Sequence, residues 1–159
     1  MTKLYCVLFV ASLSACSMLS PKPPATPDLS QQQAQNNKAQ LETNIDSFQR
    51  NYEQMWSQLE NSMAKVEGYF QSLPPKAKND PQFALLDKQY REAQAASNAL
   101  PERKDELLAW ADQVRDAPST ADVQTFARKS NSINQDMAAL MTQLGRLQQE
   151  LFGLKARAR

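Results

Sequence analysis

The chain has 159 residues, with 18 Lys and Arg against 17 Asp and Glu and no His. A net charge of +1 argues against the broad basic surface that nucleic-acid binding uses. With no His, two Cys and three Gly, metal sites, phosphate loops and thiol or imidazole catalysis lack their usual residues. No catalytic, metal or cofactor site is expected.

Lys3 and the free amine make a short positive segment, followed by a mostly apolar run from Leu4 to Leu13. Crossing a bilayer takes about twenty residues, so this run has the length of a secretory signal core. Ordinary signal cleavage favours small residues at −3 and −1. Ala15 suits that enzyme and Leu13 does not. Leu13-Ser14-Ala15-Cys16 instead resembles the lipobox of bacterial lipoproteins, Leu-(Ala/Ser)-(Gly/Ala)-Cys.

That resemblance covers the first seventeen residues and implies three things. Residues 1–15 are removed, the Cys16 sulfur carries a diacylglycerol, and the new amine is acylated. Ser17 at +2, in place of Asp, implies anchoring in the outer membrane on its periplasmic side. Removal of 1–15 takes Lys3 and Cys6 with it, which leaves 17 basic and 17 acidic residues and Cys16 as the one thiol. An internal disulfide then has no second half. Each buried methylene contributes about 0.8 kcal/mol, so two or three long chains on Cys16 hold a protein to a leaflet essentially for good.

Residues 16–37 read as a tether. Pro21, Pro23, Pro24 and Pro27 favour extended polyproline II. A dozen such residues hold a folded part about 40 Å from the lipid at about 3.1 Å each. The stretch 30–40 has no apolar stripe and is expected to fray or to lengthen the tether as loose helix.

Three heptad runs follow, so the expected fold is all-α: an elongated antiparallel three-helix bundle over 38–156. The first run includes Leu41, Ile45, Phe48, Tyr52, Leu59 and Val66; the second includes Leu86, Ala93, Leu100 and Leu107. The third runs without a break through Val123, Phe126, Ser130, Ile133, Met137, Leu140, Leu144, Leu147, Leu151 and Leu154. Spacing of three and four keeps each set on one side of a slightly supercoiled helix. Trp56, Met63, Phe70, Leu108 and Met141 widen the stripes, as a helix with two neighbours requires.

Helices are expected at about 38–73, 81–116 and 119–156. Asp80 and Pro81 suit an N-cap and first helical position, and Ser119 with Asp122 resembles a capping box. Pro101 falls where the second repeat continues in phase, which favours a kink in one long helix over two helices. Folding back at 74–80 sets Trp56 opposite Ala99 and Leu59 opposite Ala96.

Up-down-up topology brings the 74–81 turn and the C-terminus together at the end remote from the tether. That tip gathers Lys76, Lys78, Lys155, Arg157 and Arg159, with Leu85 and Phe152 off the core stripe. The simplest account is an aromatic plug with cations at a helix C-terminus, where they complement the dipole. The functional account is an apolar patch ringed by positive charge and suited to an anionic partner or an acidic helical groove, for which membrane headgroups, cell-wall polymer and a secretion or envelope protein all qualify. The expected role is therefore a non-catalytic lipoprotein that acts as assembly factor, adaptor or spacer. Alternatives are a carrier holding an apolar ligand among Met55, Met63, Met137 and Met141, and a surface-displayed binding protein. Asn and Gln on outer faces would also allow the chain to form a homo-oligomer.

Overall fold

Between the joints the chain has few glycines and long three-four apolar repeats, a pattern that only helix satisfies. The computed structural model describes residues 29–158. Of these, 91% are helical and none lies in a strand, which makes the fold an all-α bundle. The lipobox residues Leu13, Ser14, Ala15 and Cys16, the prolines of the tether and Arg159 lie outside the described residues.

Helix α1 spans Leu29–Gln71. After a short α2 at Pro75–Lys78 come α3, Pro81–Asn98, and α4, Leu100–Val114; α5 spans Thr120–Arg157. At 1.5 Å per residue, α1 and α5 are about 64 and 57 Å long. They run side by side in the same direction, as Phe48 on Phe126 (centroids 5.9 Å) and Lys155 Nζ on Ser72 Oγ (2.8 Å) show. α3 and α4 run back against both. Gln143 donates to the Gln89 carbonyl at 3.3 Å, and Arg103 meets Asp136 at 2.7 Å.

α5 is the central helix. All ten residues of its sequence stripe are buried, including Ser130, whose hydroxyl donates to the Ala127 carbonyl at 3.0 Å. The seam between α1 and the returning helices is filled by aromatics. Tyr52 stacks on Trp56 (5.9 Å, 7°), and Phe70 meets Phe83 and Tyr90 at 5.8 and 5.3 Å. Lys104 lies 5.2 Å over the Tyr52 ring, within about one residue of the register expected from the turn. The buried Tyr52 hydroxyl has no partner among the described residues, and its pKa is raised, first by burial and then by Asp105 and Glu60. Exposed ion pairs contribute at most about 1 kcal/mol each. The continuous core from Leu41 to Leu154 therefore holds the bundle.

Two boundaries differ from expectation. α1 begins nine residues before position 38, so residues 29–37 belong to the helix and not to the tether. Gln and Ala propagate helix readily once a nucleus exists. This added segment is also tied down: Asn37 Nδ2 donates to the Pro118 carbonyl at 3.2 Å, and Gln33 Nε2 to Thr120 Oγ1 at 3.4 Å. The second run is two helices, with Pro101 in the first turn of α4. Pro101 has no N–H to donate back along the helix. Ala99 nonetheless keeps helical dihedrals (φ −83°, ψ −14°), so Leu100 and Leu107 stay in the core.

The joints follow local chemistry. Asp80 Oδ1 accepts from the Gln82 N–H at 2.8 Å, with Pro81 behind it. At Ser119 both halves of the capping box form. Asp122 Oδ2 accepts from Ser119 Oγ (2.6 Å) and from Ser119 N–H (2.9 Å). These bonds, the hydroxyl's first, hold the Asp122 carboxyl below its ordinary range against a small opposing effect of burial.

A lowered folded-state pKa stabilises the fold above the unfolded value of about 3.9 and loses that contribution as pH falls through the folded value. Asp122→Asn is therefore expected to lower the thermal midpoint at neutral pH and to leave it unchanged relative to the parent near pH 2. Melts monitored by circular dichroism across that range check this. A constant difference at all pH values would mean that the cap does not depend on the carboxylate charge.

Candidate docking tip

Cations at the ends of two helices and in the joint between them come together only if the bundle is three helices thick. The structure does this. Lys155 reaches across to Ser72 at the end of α1, and Arg157 Nη2 donates to Gln82 Oε1 in the first turn of α3. Gln82 Nε2 in turn donates to Glu150 Oε2 at 3.3 Å. Lys76 and Lys78 stand exposed on α2, which is pinned to the core by the buried Ala77. Among the described residues, Lys65, Lys76, Lys78, Lys155 and Arg157 form no ion pair.

The opposite end is balanced differently. Lys38 pairs with Asp116 (3.7 Å), and Arg115 with both Glu42 (3.6 Å) and Asp112 (3.5 Å). At the tip five cations thus stand against Glu67, Asp80 and Glu150, none of them in an ion pair among the described residues, whereas Glu42, Asp112 and Asp116 at the other end are paired.

Leu85 and Phe152 are both exposed, at 54% and 63%, as their positions off the stripe require. They do not form one patch. Phe152 opens onto the groove between α1 and α5, beside Tyr69, Gly145, Gln148 and Gln149. Leu85 lies on α3 seven residues before Glu92, which borders the separate groove between α3 and α5. The six candidate docking residues therefore divide: Lys76, Lys78, Lys155 and Arg157 mark the tip, Phe152 one flank and Leu85 the other.

The methionines among the described residues sit in or against the packed interior. Met137 is fully buried, and Met55, Met63 and Met141 pack on the core. Trp56 and Trp110 do likewise; Lys129 lies 5.4 Å over the Trp110 ring. Among the described residues no group of three potential ligands could hold a metal ion, and no helix is long and apolar enough to cross a membrane.

One feature escapes a reading confined to the core stripe. Asp46, Glu53, Glu60 and Glu67 recur at every seventh position of α1 and form an acidic column along it. The flank on the other side of the same helix, from Ser47 to Ser72, has Lys65 as its one ionic side chain among the positions that border α5. Counting charges by heptad position would have exposed both.

Compared with known proteins, the chain matches no family model, no curated protein sequence and no solved structure. The class that the fold defines is a helical bundle.

Proposed function

We propose that the chain is a non-catalytic lipoprotein of the bacterial envelope, anchored through Cys16 in the outer membrane and presenting its far end to a protein partner. The supporting observation is the tip itself: five cations without ion pairs, adjacent to an exposed Phe152, at the end of the bundle away from the N-terminal segment. An exposed apolar side chain on the flank of a cationic tip offers burial for affinity and sign for selection. The lipobox supports the anchor, and the prolines after Cys16 support a spacer that lifts the bundle from the leaflet.

Phe152→Asp is expected to leave helical content and thermal midpoint nearly unchanged, because the side chain is mostly solvated. It is expected to reduce capture of the envelope partner from cells at least about tenfold. Leu85→Asp, on the other flank, separates a tip-wide contact from one confined to the α1/α5 side. Retention of every partner by both variants removes the tip as the docking surface.

A further inference from the structure

The grooves around the bundle differ in the charge that lines them. Between α3 and α5 lie Glu92, Arg146 and Glu150, and between α4 and α5 lie Arg103, Glu106 and Lys129. Both mix the two signs, and Arg103 is already tied to Asp136. The distal stretch of the α1/α5 groove does not. It consists of two adjoining hollows of about 390 and 400 Å³ that share Tyr69 and Gln148. No carboxylate lines either one, and their ionic side chain is Lys65 on α1. Phe152, 63% exposed, forms the α5 wall. Lys155 closes the tip end, with Nζ 2.8 Å from Ser72 Oγ.

The neighbouring acids face elsewhere. Burial and then Glu67 raise the pKa of Tyr90, which places that carboxylate on the α3 side of α1. Glu150 lines the α3/α5 groove, where it accepts from Gln82, and Asp80 caps α3. Lys65 and Lys155 therefore form no ion pair among the described residues, and the apolar surface of Tyr69 and Phe152 lies between them. Lys155 meets Ser72, seven residues beyond Lys65, so the two cations stand about two turns, or about 10 Å, apart along the groove.

We propose that this stretch of groove receives an acidic amphipathic helix of the partner protein, an inference that rests on the tip as the docking surface. A groove between two helices takes a third by its apolar face. A lining of single sign selects an occupant of the opposite sign. The spacing of the cations adds detail. The occupant carries carboxylates at i and i+7, two turns apart on one face, with apolar residues between them to meet Tyr69 and Phe152. Other occupants match less well. A second copy offers its acidic column, Asp46 to Glu67, but the adjoining Arg50, Ser57 and Ala64 give Phe152 no large apolar partner. Residues 1–28 carry Lys3 and Lys22 against Asp28, which is the wrong sign.

The test uses the full chain in cells, with a photo-crosslinking residue at Gln149, which is exposed in the groove. Mass-spectrometric sequencing of the crosslinked peptide reads the chemistry of the occupant. The expected adduct maps to a protein segment with a three-four apolar repeat and at least two carboxylates seven residues apart. Lys65→Glu, at an exposed position, is expected to reduce that adduct at least about tenfold. If Lys65→Glu lowers helicity, Lys65→Gln serves as the variant, with a several-fold loss expected. A basic or uncharged peptide, a second copy, a lipid, or an adduct indifferent to Lys65 overturns the proposal. Absence of an adduct at Gln149 while Phe152→Asp still abolishes capture overturns the groove helix and leaves the tip reading in place. Retention of every partner by both Phe152→Asp and Leu85→Asp removes the two together.

Discussion

Phe126→Ala is expected to destabilise the bundle by about 3–5 kcal/mol and to lower its thermal midpoint by roughly 10–20 °C. Phe126 is fully buried on α5, with its ring edge against Phe48 at 5.9 Å and 86°. The loss combines apolar transfer, the cavity left between two long helices, and an aromatic pair worth about 0.5–1.5 kcal/mol beyond its area. Domains are stable by about 5–15 kcal/mol in total, so this single truncation removes a large share. Phe152→Ala is the matched control: same residue type, same helix, but 63% exposed, with an expected change below about 0.5 kcal/mol. Urea melts of the two variants test the arrangement directly. Equal effects would mean that α1 and α5 do not meet at this register.

Cys16→Ser is expected to release the protein from the membrane fraction almost completely. The reasoning is thermodynamic. A diacylglycerol alone buries on the order of thirty methylenes at about 0.8 kcal/mol each. No described helix is long and apolar enough to substitute by spanning the bilayer. The serine hydroxyl is not a thioether acceptor, so the substitution removes the lipid while changing one atom. Fractionation of cells, together with the intact mass of the membrane-bound form, reads out the result. Membrane association that survives the change in a variant lacking residues 1–15, or an unmodified thiol in the parent, would end the lipoprotein reading. The tip would then be judged on its own test.

The two experiments address different parts of the molecule. The first concerns a packing site visible as a repeat and seen in the structure. The second concerns the Leu13–Cys16 motif, outside the described residues.

Legibility varied along the chain for identifiable reasons. The third run was readable in full, because one uninterrupted repeat without an internal Pro has a single solution, and all ten of its residues are buried. The caps at Asp80 and Ser119 were readable because they depend on neighbours two or three residues away. The start of α1 was not. Residues 29–37 have no apolar stripe, and what places them is polar contact with the distant turn at Pro118 and Thr120. At Pro101 the repeat gave only phase, and phase is kept equally by a kink or by two helices in line.

The candidate site shows the same division. Leu85 and Phe152 were recognisable as exposed because each breaks its own helix's repeat, but the repeat is silent about which neighbour lies beside it. Their separation onto two flanks depends on which side of α5 each faces.

By itself, then, the order of residues determined that the chain is helical, which face of each helix turns inward, and where the two reversing turns fall, since these depend on spacing and on local hydrogen bonds. Only the tertiary structure decided that α1 reaches back to Leu29, that the tip cations form no ion pair among the described residues, and that Leu85 and Phe152 fall beside different grooves. The physical reason is that a heptad specifies inside and outside for one helix, whereas adjacency is a property of pairs of helices and is settled by how the large aromatics and small residues of three helices fill a common core.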